Sequence, residues 1–280
     1  MSRMAEDEKP DDAAPGATPV RGAGTVGKAL AVLDQVAGFG RPVRFNELLP
    51  DSPYPKATLY RLVQTLVAQG MLAADPGAGT YAPGLRLVRL AHSAWRTASL
   101  APVARPHLDR LSAAAGETVH LAQLDHGQVL YLDKRNAREP VEMFAQAGKI
   151  GPAHCTGVGK AMLAFLSGPL REAALSRQSF ASYTPATLTD RPALEAELAV
   201  VRAEGRAFDR EEHEPGLICL ARPVLGPGGR VLGAVSLTAT TARRTLDQLA
   251  LFDPDLATCA RAIAADAEAW RFPEAVADPA

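Results

Sequence analysis

Two clusters of side chains in this chain have the types and spacing to recognise something. The first lies in PKATLYRLVQTLVAQG, where Leu59, Leu62, Val63, Leu66 and Val67 recur at helical spacing. That apolar set buries one face of a short helix and leaves Lys56, Thr58, Tyr60, Arg61 and Gln64 pointing elsewhere, near its start. A cation, a hydroxyl and an amide so placed suit the major groove of double-stranded DNA, whose base edges and phosphates they match. Arg44 and the turn Gly77–Thr80 are placed to reach neighbouring phosphates. The bland reading is a small helical unit packing its free face on something else, since any surface helix is amphipathic.

The second cluster begins in GPAHCTGVGKAMLAFL. Thr156 is a candidate N-cap before a helix opening Gly157-Val158-Gly159, and small residues there leave backbone N–H groups open to a carboxylate. A nucleotide P-loop is excluded, because His154 stands where that motif needs glycine and Ala161 where it needs Ser or Thr. Downstream, AFDREEHEPGLICLARPV places Asp209 and Glu212 on a strand end and loop, then Cys219 on the next strand. Ser236 and Thr238 alternate with Val235 and Leu237, so both hydroxyls share one face. If that face meets the Gly157 helix end, it forms a cup of backbone donors, hydroxyls, a thiol and one or two carboxylates, suited to a small polar acid. The ordinary readings are Cys219 as a small core side chain, Asp209 as a cap and Ser236 as strand filler.

Two rival chemistries use the same region. A hydrolase would take Cys155 as nucleophile with His154 or His120 as base, but adjacent Cys and His do not face each other on a strand, and no third orienting residue is evident. A metal sensor would use Cys155, Cys219, Asp209 and His213, ligand types that suit zinc at a spacing that matches no recognised pattern. No cofactor is expected.

The elements that position these clusters read as follows. Thr25 is an N-cap, and Val26, Leu30, Leu33 and Ala37 mark a first helix closed by Gly38–Pro42. A short helix, Phe45–Leu49, is cut by Pro50, and Pro55 suits the first position of the next one. MLAAD and TYAPG flank the turn PGAG as two short strands, which completes a winged helix-turn-helix. Leu87, Leu90, Ala91 and Ala94 mark a connector helix, with Arg86, Arg89 and Arg96 beside that stripe. A helix over Pro102–Ala115 follows, then TVHLAQL and VLYLDKR as a hairpin about DHGQ, and a third strand at Val141–Ala145. Helices at Leu170–Gln178 and Arg191–Glu204, strands at Ile218–Val224 and Val231–Thr238, and a final helix over Thr245–Trp270 complete the chain. The class is α+β, with helices packed on a mostly antiparallel sheet. The expected boundaries are a disordered tail at 1–24, the winged helix at 25–84, a linker helix at 85–100, a second domain at 101–272 and a tail at 273–280.

Composition narrows the classes. The 280 residues carry a formal net charge of −1, so any nucleic-acid surface must gather its basic groups locally. Three cysteines without a CxxC argue against a disulfide framework or a structural zinc site and fit a reducing cytoplasm. No apolar run approaches the roughly 20 residues of a membrane span, and the first residues lack the apolar core of a secretory signal.

The run from Val43 to Met71 has a PK-x-T-x-x-RL core at Pro55, Lys56, Thr58, Arg61 and Leu62. Together with HCTGVGKAMLA and FDREEHEPGLICLARPV, it resembles the IclR family of bacterial transcription regulators over roughly residues 25–270. The resemblance implies a winged helix-turn-helix joined by a linker helix to a GAF-like effector-binding domain. It also implies a repressor or activator that grips a pseudo-palindromic operator as a homodimer or homotetramer and answers to a small metabolite, typically a carboxylate or aromatic acid. Carried over by position, Arg44, Lys56, Ala57, Thr58, Tyr60, Arg61 and Gln64 face DNA. Met143, Gly157, Val158, Asp209, Leu217, Cys219, Ser236 and Thr238 line the effector site. Departures from the family pattern are Pro53 in place of a turn glycine, Ala57 for a serine and Tyr60 for a histidine. Arg222 replaces a small residue, and either faces solvent or adds a cation that favours an acidic ligand.

Overall fold

A computed structural model of the protein describes residues 24–269; the tail expected at 1–24, apart from Gly24, the tail expected at 273–280, Trp270 and the side chain of Arg96 lie outside the described residues. Helix α1 (Thr25–Gly38) is capped by Gly24, so Thr25 is the first helical residue rather than the cap. It packs through Val32, Leu33 and Val36, whereas Val26 and Leu30, expected on the buried stripe, are 74% and 48% exposed. A strand not anticipated, β1 (Val43–Arg44), leads into α2 (Phe45–Leu48), which ends one residue early. In α3 (Lys56–Ala68) Pro55 stands at the N-cap rather than inside the first turn. No residue between α2 and α3 takes a positive φ. Pro53 is accommodated because the Ser52 N–H reaches the Leu49 carbonyl (3.3 Å) while Ser52 Oγ accepts from the Tyr54 N–H (3.2 Å). Strands β2 (Leu72–Asp75) and β3 (Thr80–Pro83) form the wing, with β3 paired antiparallel to both β1 and β2. The core beneath joins Val36, Val43, Leu48, Leu59, Val63, Leu66 and Leu72.

The chain divides into two compact units between Ser93 and Ala94, inside α4 (Leu85–Ala98). Of the stripe expected on α4, Leu87 packs on the core of the first unit, while Leu90, Ala91 and Ala94 are exposed.

In the second unit α5 (Ala101–Ala115) precedes the hairpin β4 (Thr118–Asp125) and β5 (Gln128–Arg135). Strand β6 (Ile150–Gly151) follows, then α6 (Gly157–Leu163), α7 (Gly168–Ser176) and α8 (Arg191–Glu204). Strands β7 (Ala207–Arg210), β8 (Leu217–Leu225) and β9 (Val231–Thr240) lead to α9 (Leu246–Ala250) and α10 (Asp253–Ala269). The sheet order is β6-β5-β4-β9-β8-β7, and every neighbouring pair is antiparallel. The strand expected at Val141–Ala145 is a loop, because the Phe144 N–H donates to the Glu214 carboxylate (3.1 Å) instead of to a ladder. The single final helix is broken into α9 and α10, since a continuous helix would drive the Pro254 ring into the carbonyl of Ala250. Strand alternation sends Val119, Leu121, Leu220, Val235 and Leu237 into the core shared with α5 and α10. Ala122, Tyr131, Cys219, Ala221 and Ala234 face the core of α6 and α8. Helices therefore cover both faces of the sheet, and the cup opens on the α6 side.

Candidate functional site

On α3, Lys56, Ala57, Tyr60, Arg61 and Gln64 are exposed and Thr58 is half-buried, above a floor of Leu59, Leu62, Val63 and Leu66. Arg44 is exposed on β1, its backbone N–H held by Glu47 (2.8 Å). The Tyr60 ring meets Phe45 edge-on with centroids 5.5 Å apart, which fixes the direction in which its phenol projects. Gln64 reaches the hydroxyl of Tyr81 on the wing at a long 3.4 Å. Tyr81 was not among the residues singled out from the sequence; only pairing β3 against α3 in space reveals it. The wing tip is set by Asp75 Oδ1, which accepts from the N–H groups of Gly77 (2.9 Å) and Ala78 (3.1 Å). The result is a rigid helix face with two cations and a wing beside it, the geometry of a groove reader flanked by phosphate contacts.

In the second unit the strand registers place Asp209 beside Cys219, Cys219 beside Thr238, and Ser236 beside His120. The N-terminal end of α6 lies directly over this row. A Cβ on Gly157 would come within 2.7 Å of Cys219 Sγ, and one on Gly159 within 2.4 Å of the Ala153 backbone, so both positions require glycine. Thr156 is the N-cap by position, yet its hydroxyl donates to the Pro152 carbonyl (2.7 Å) and caps nothing. The amides of Gly157, Val158 and Gly159 are those that a first helical turn leaves without an intrahelical acceptor.

The cavity at this row measures about 40 Å³. All eight residues assigned to it from the sequence line it: Met143, Gly157, Val158, Asp209, Leu217, Cys219, Ser236 and Thr238. His120, Tyr131, Thr156, His213 and Glu214 complete the polar wall. Glu212, read as a possible second carboxylate of the cup, is turned away to pair with the fully buried Lys160, which Glu197 also approaches at 3.3 Å. Arg222 brings no cation either: its guanidinium grips Asp253 through two 2.7 Å hydrogen bonds. Nothing local in the sequence marks these pairs, which join residues 52 and 31 positions apart.

Burial governs the electrostatics of the cup. It pushes Asp209 up to about 7, even though the Glu212 N–H donates to its Oδ1 (2.8 Å). It pushes the Cys219 thiol up to about 12 and His120 down to about 3, so both are neutral at pH 7. Against its own burial, Glu214 is held below the usual range by His213 and the Phe144 N–H. Cys155 is buried, and that burial pushes its thiol far up, the reverse of what a nucleophile needs. The His154 Nε2–H donates to the Ala181 carbonyl (3.1 Å) and not to Cys155. Among the described residues no group of three His, Cys, Asp or Glu side chains is arranged to hold a metal ion, and no helix is long and apolar enough to cross a membrane.

Comparison with known proteins joins the two units. Residues 92–265 match the profile of the bacterial transcriptional regulator IclR C-terminal domain, and residues 25–76 that of the IclR helix-turn-helix domain. The chain is 32% identical over 232 residues to the transcriptional regulator XynR of Escherichia coli, covering 83% of this chain and 92% of that one. It is 31% identical over 227 residues to the E. coli transcriptional repressor IclR, covering 80% and 83%. Among solved structures, an IclR homologue from Microbacterium hydrocarbonoxydans complexed with 4-hydroxybenzoate superposes with a TM-score of 0.75 at 25% identity, covering 88% of this chain and all of the other.

Proposed function

Because the chain belongs to the IclR family of bacterial transcriptional regulators, and so is a regulator rather than an enzyme, we propose that its operator affinity is set by a small organic acid held in the cup beneath α6. The convergence of all eight sequence-assigned residues on one cavity is the observation that carries this reading. The free amides of α6 would take the acid's carboxylate, with Ser236 and Thr238 orienting it. Lys56 and Arg61 would anchor α3 on phosphates or guanines, Arg44 and the wing on flanking phosphates, and Ala57, Thr58, Tyr60 and Gln64 would meet base edges.

Operator reading by this family member calls for at least a homodimer, assembling to a homotetramer on longer sites. Exposed apolar side chains support that: Val26 and Leu30 on α1, and Leu85 (84%), Val88 (63%) and Leu90 on α4, offer apolar surface to a second copy. The protein would work in the cytoplasm, where its DNA is. A thermal-shift screen with benzoate, 4-hydroxybenzoate and short aliphatic acids tests the cup, since a ligand at 100 times its Kd adds about 2.7 kcal/mol of stability. The proposal stands if an acid raises the melting temperature of the wild-type protein and not of Gly157→Ala; it falls if no acid does.

A further inference from the structure

The cup reads as an acid site, yet no lysine or arginine lines it, while the carboxylates of Asp209 and Glu214 do. Of the nearby cations, Lys160 pairs with Glu212 and Glu197, Arg210 with Glu197 (2.9 Å) and Arg222 with Asp253, while Lys134 on β5 acts on Glu214 and His120 from outside the lining. An acid arriving as a bare anion would meet like charge in a buried space. Two carboxyl groups share such a space when one of them carries a proton.

Geometry selects which group that is. Both oxygens of Glu214 lie 3.1 Å from the Phe144 N–H, with His213 at 3.7 Å. Glu212 is neutralised by Lys160. Asp209 lines the cavity and uses Oδ1 for the Glu212 N–H, which leaves Oδ2 to carry a proton. Resting on the reading of the cup as an acid site, we propose that the effector is bound as a monocarboxylate together with one proton taken from solvent. That proton resides on Asp209, so a carboxyl-to-carboxylate hydrogen bond does the work of the missing cation.

The groups that face Asp209 leave it alone in this role. Cys155 precedes α6 and Lys160 lies on it; Cys219 comes from β8, Tyr131 from β5, and Glu212 and His213 from the loop after β7. His120, Ser236 and Thr238 enter the same cavity from β4 and β9. Burial keeps both thiols, the Tyr131 phenol and His120 neutral near pH 7. Asp209, lifted by the same burial to about 7, titrates where the effector would bind.

Isothermal titration of the full chain with benzoate and 4-hydroxybenzoate, between pH 6 and 8 in paired buffers of unlike ionisation enthalpy, tests this. Proton uptake should approach one per site at pH 8, with affinity about ten-fold weaker there than at pH 6. Asp209→Asn, whose amide N–H replaces the proton as donor, should still bind while losing both the uptake and the pH dependence. Binding enthalpies that do not vary with buffer, or uptake that persists in Asp209→Asn, would overturn the proposal while leaving acid binding in place. Failure of both acids to bind at any pH would overturn it together with the reading of the cup.

Discussion

Gly157 and Asp209 are the two positions where a single atom decides what the cup can do. A methyl group on residue 157 would sit 2.7 Å from Cys219 Sγ and 3.4 Å from the Ala221 Cβ, so Gly157→Ala should push α6 off the sheet row locally. Operator binding should then stay within about two-fold of wild type while the acid-induced thermal shift disappears, as read from paired DNA-binding and melting curves. Asp209 bears on stability as well as recognition. Its folded-state pKa, raised from 3.8 to about 7 mainly by burial, favours the protonated form. Stability is therefore fully present below about pH 4 with respect to this group and is lost as pH rises through 7. Asp209→Asn should accordingly raise the melting temperature more at pH 8 than at pH 5; an equal change at both would contradict the buried, titrating carboxyl. Much of this was legible residue by residue: the period-two alternation of Ser236 and Thr238 and the glycines of GVG point into one cup. The partners of Lys160 and Arg222 were not, because ion pairs between distant segments leave no periodic trace.

At the scale of elements, α6 is fixed at two points. Its first turn lies on the Asp209–Cys219–Thr238 row, and Lys160 in its middle is locked to the loop after β7 through Glu212. Removing one partner of a buried pair strands the other, so Lys160→Met should cost about 3 kcal/mol in urea denaturation. Adding Glu212→Leu to it should recover most of that loss; a further loss in the double variant would mean the pair is not the source. The cavity of about 40 Å³ has room for only about three waters at ~10–15 Å³ each, so an aromatic acid must move part of the wall. Part of that wall is the loop carrying Met143 and Phe144 and the one carrying His213 and Glu214, joined by the Phe144–Glu214 bond and the 5.1 Å Phe144–His213 ring contact. That first loop was misread as a strand because VEMFA alternates like one, and alternation cannot say whether a partner strand is within reach. The break between α9 and α10 was readable at Pro254, whereas the two-residue strand β1 is too short to leave a pattern.

For the molecule as a whole, a net charge of −1 means that attraction to DNA comes from the α3 face and its surroundings and not from bulk electrostatics. Operator affinity should fall steeply with salt, and Arg61→Ala should weaken binding while lowering the log–log salt slope by about one if Arg61 meets a phosphate. An unchanged slope with reduced affinity would place Arg61 on a base edge instead. The most direct test of a regulator built from a groove reader and an acid cup is the anisotropy of a labelled fragment of its own promoter, titrated with the full chain at low salt, with and without an acid that raises its melting temperature. The account predicts tight binding whose Kd shifts about five-fold or more with the acid, in either direction, and does not shift in Gly157→Ala. Superimposable curves with and without the acid, or no binding to the fragment at low salt, would contradict it.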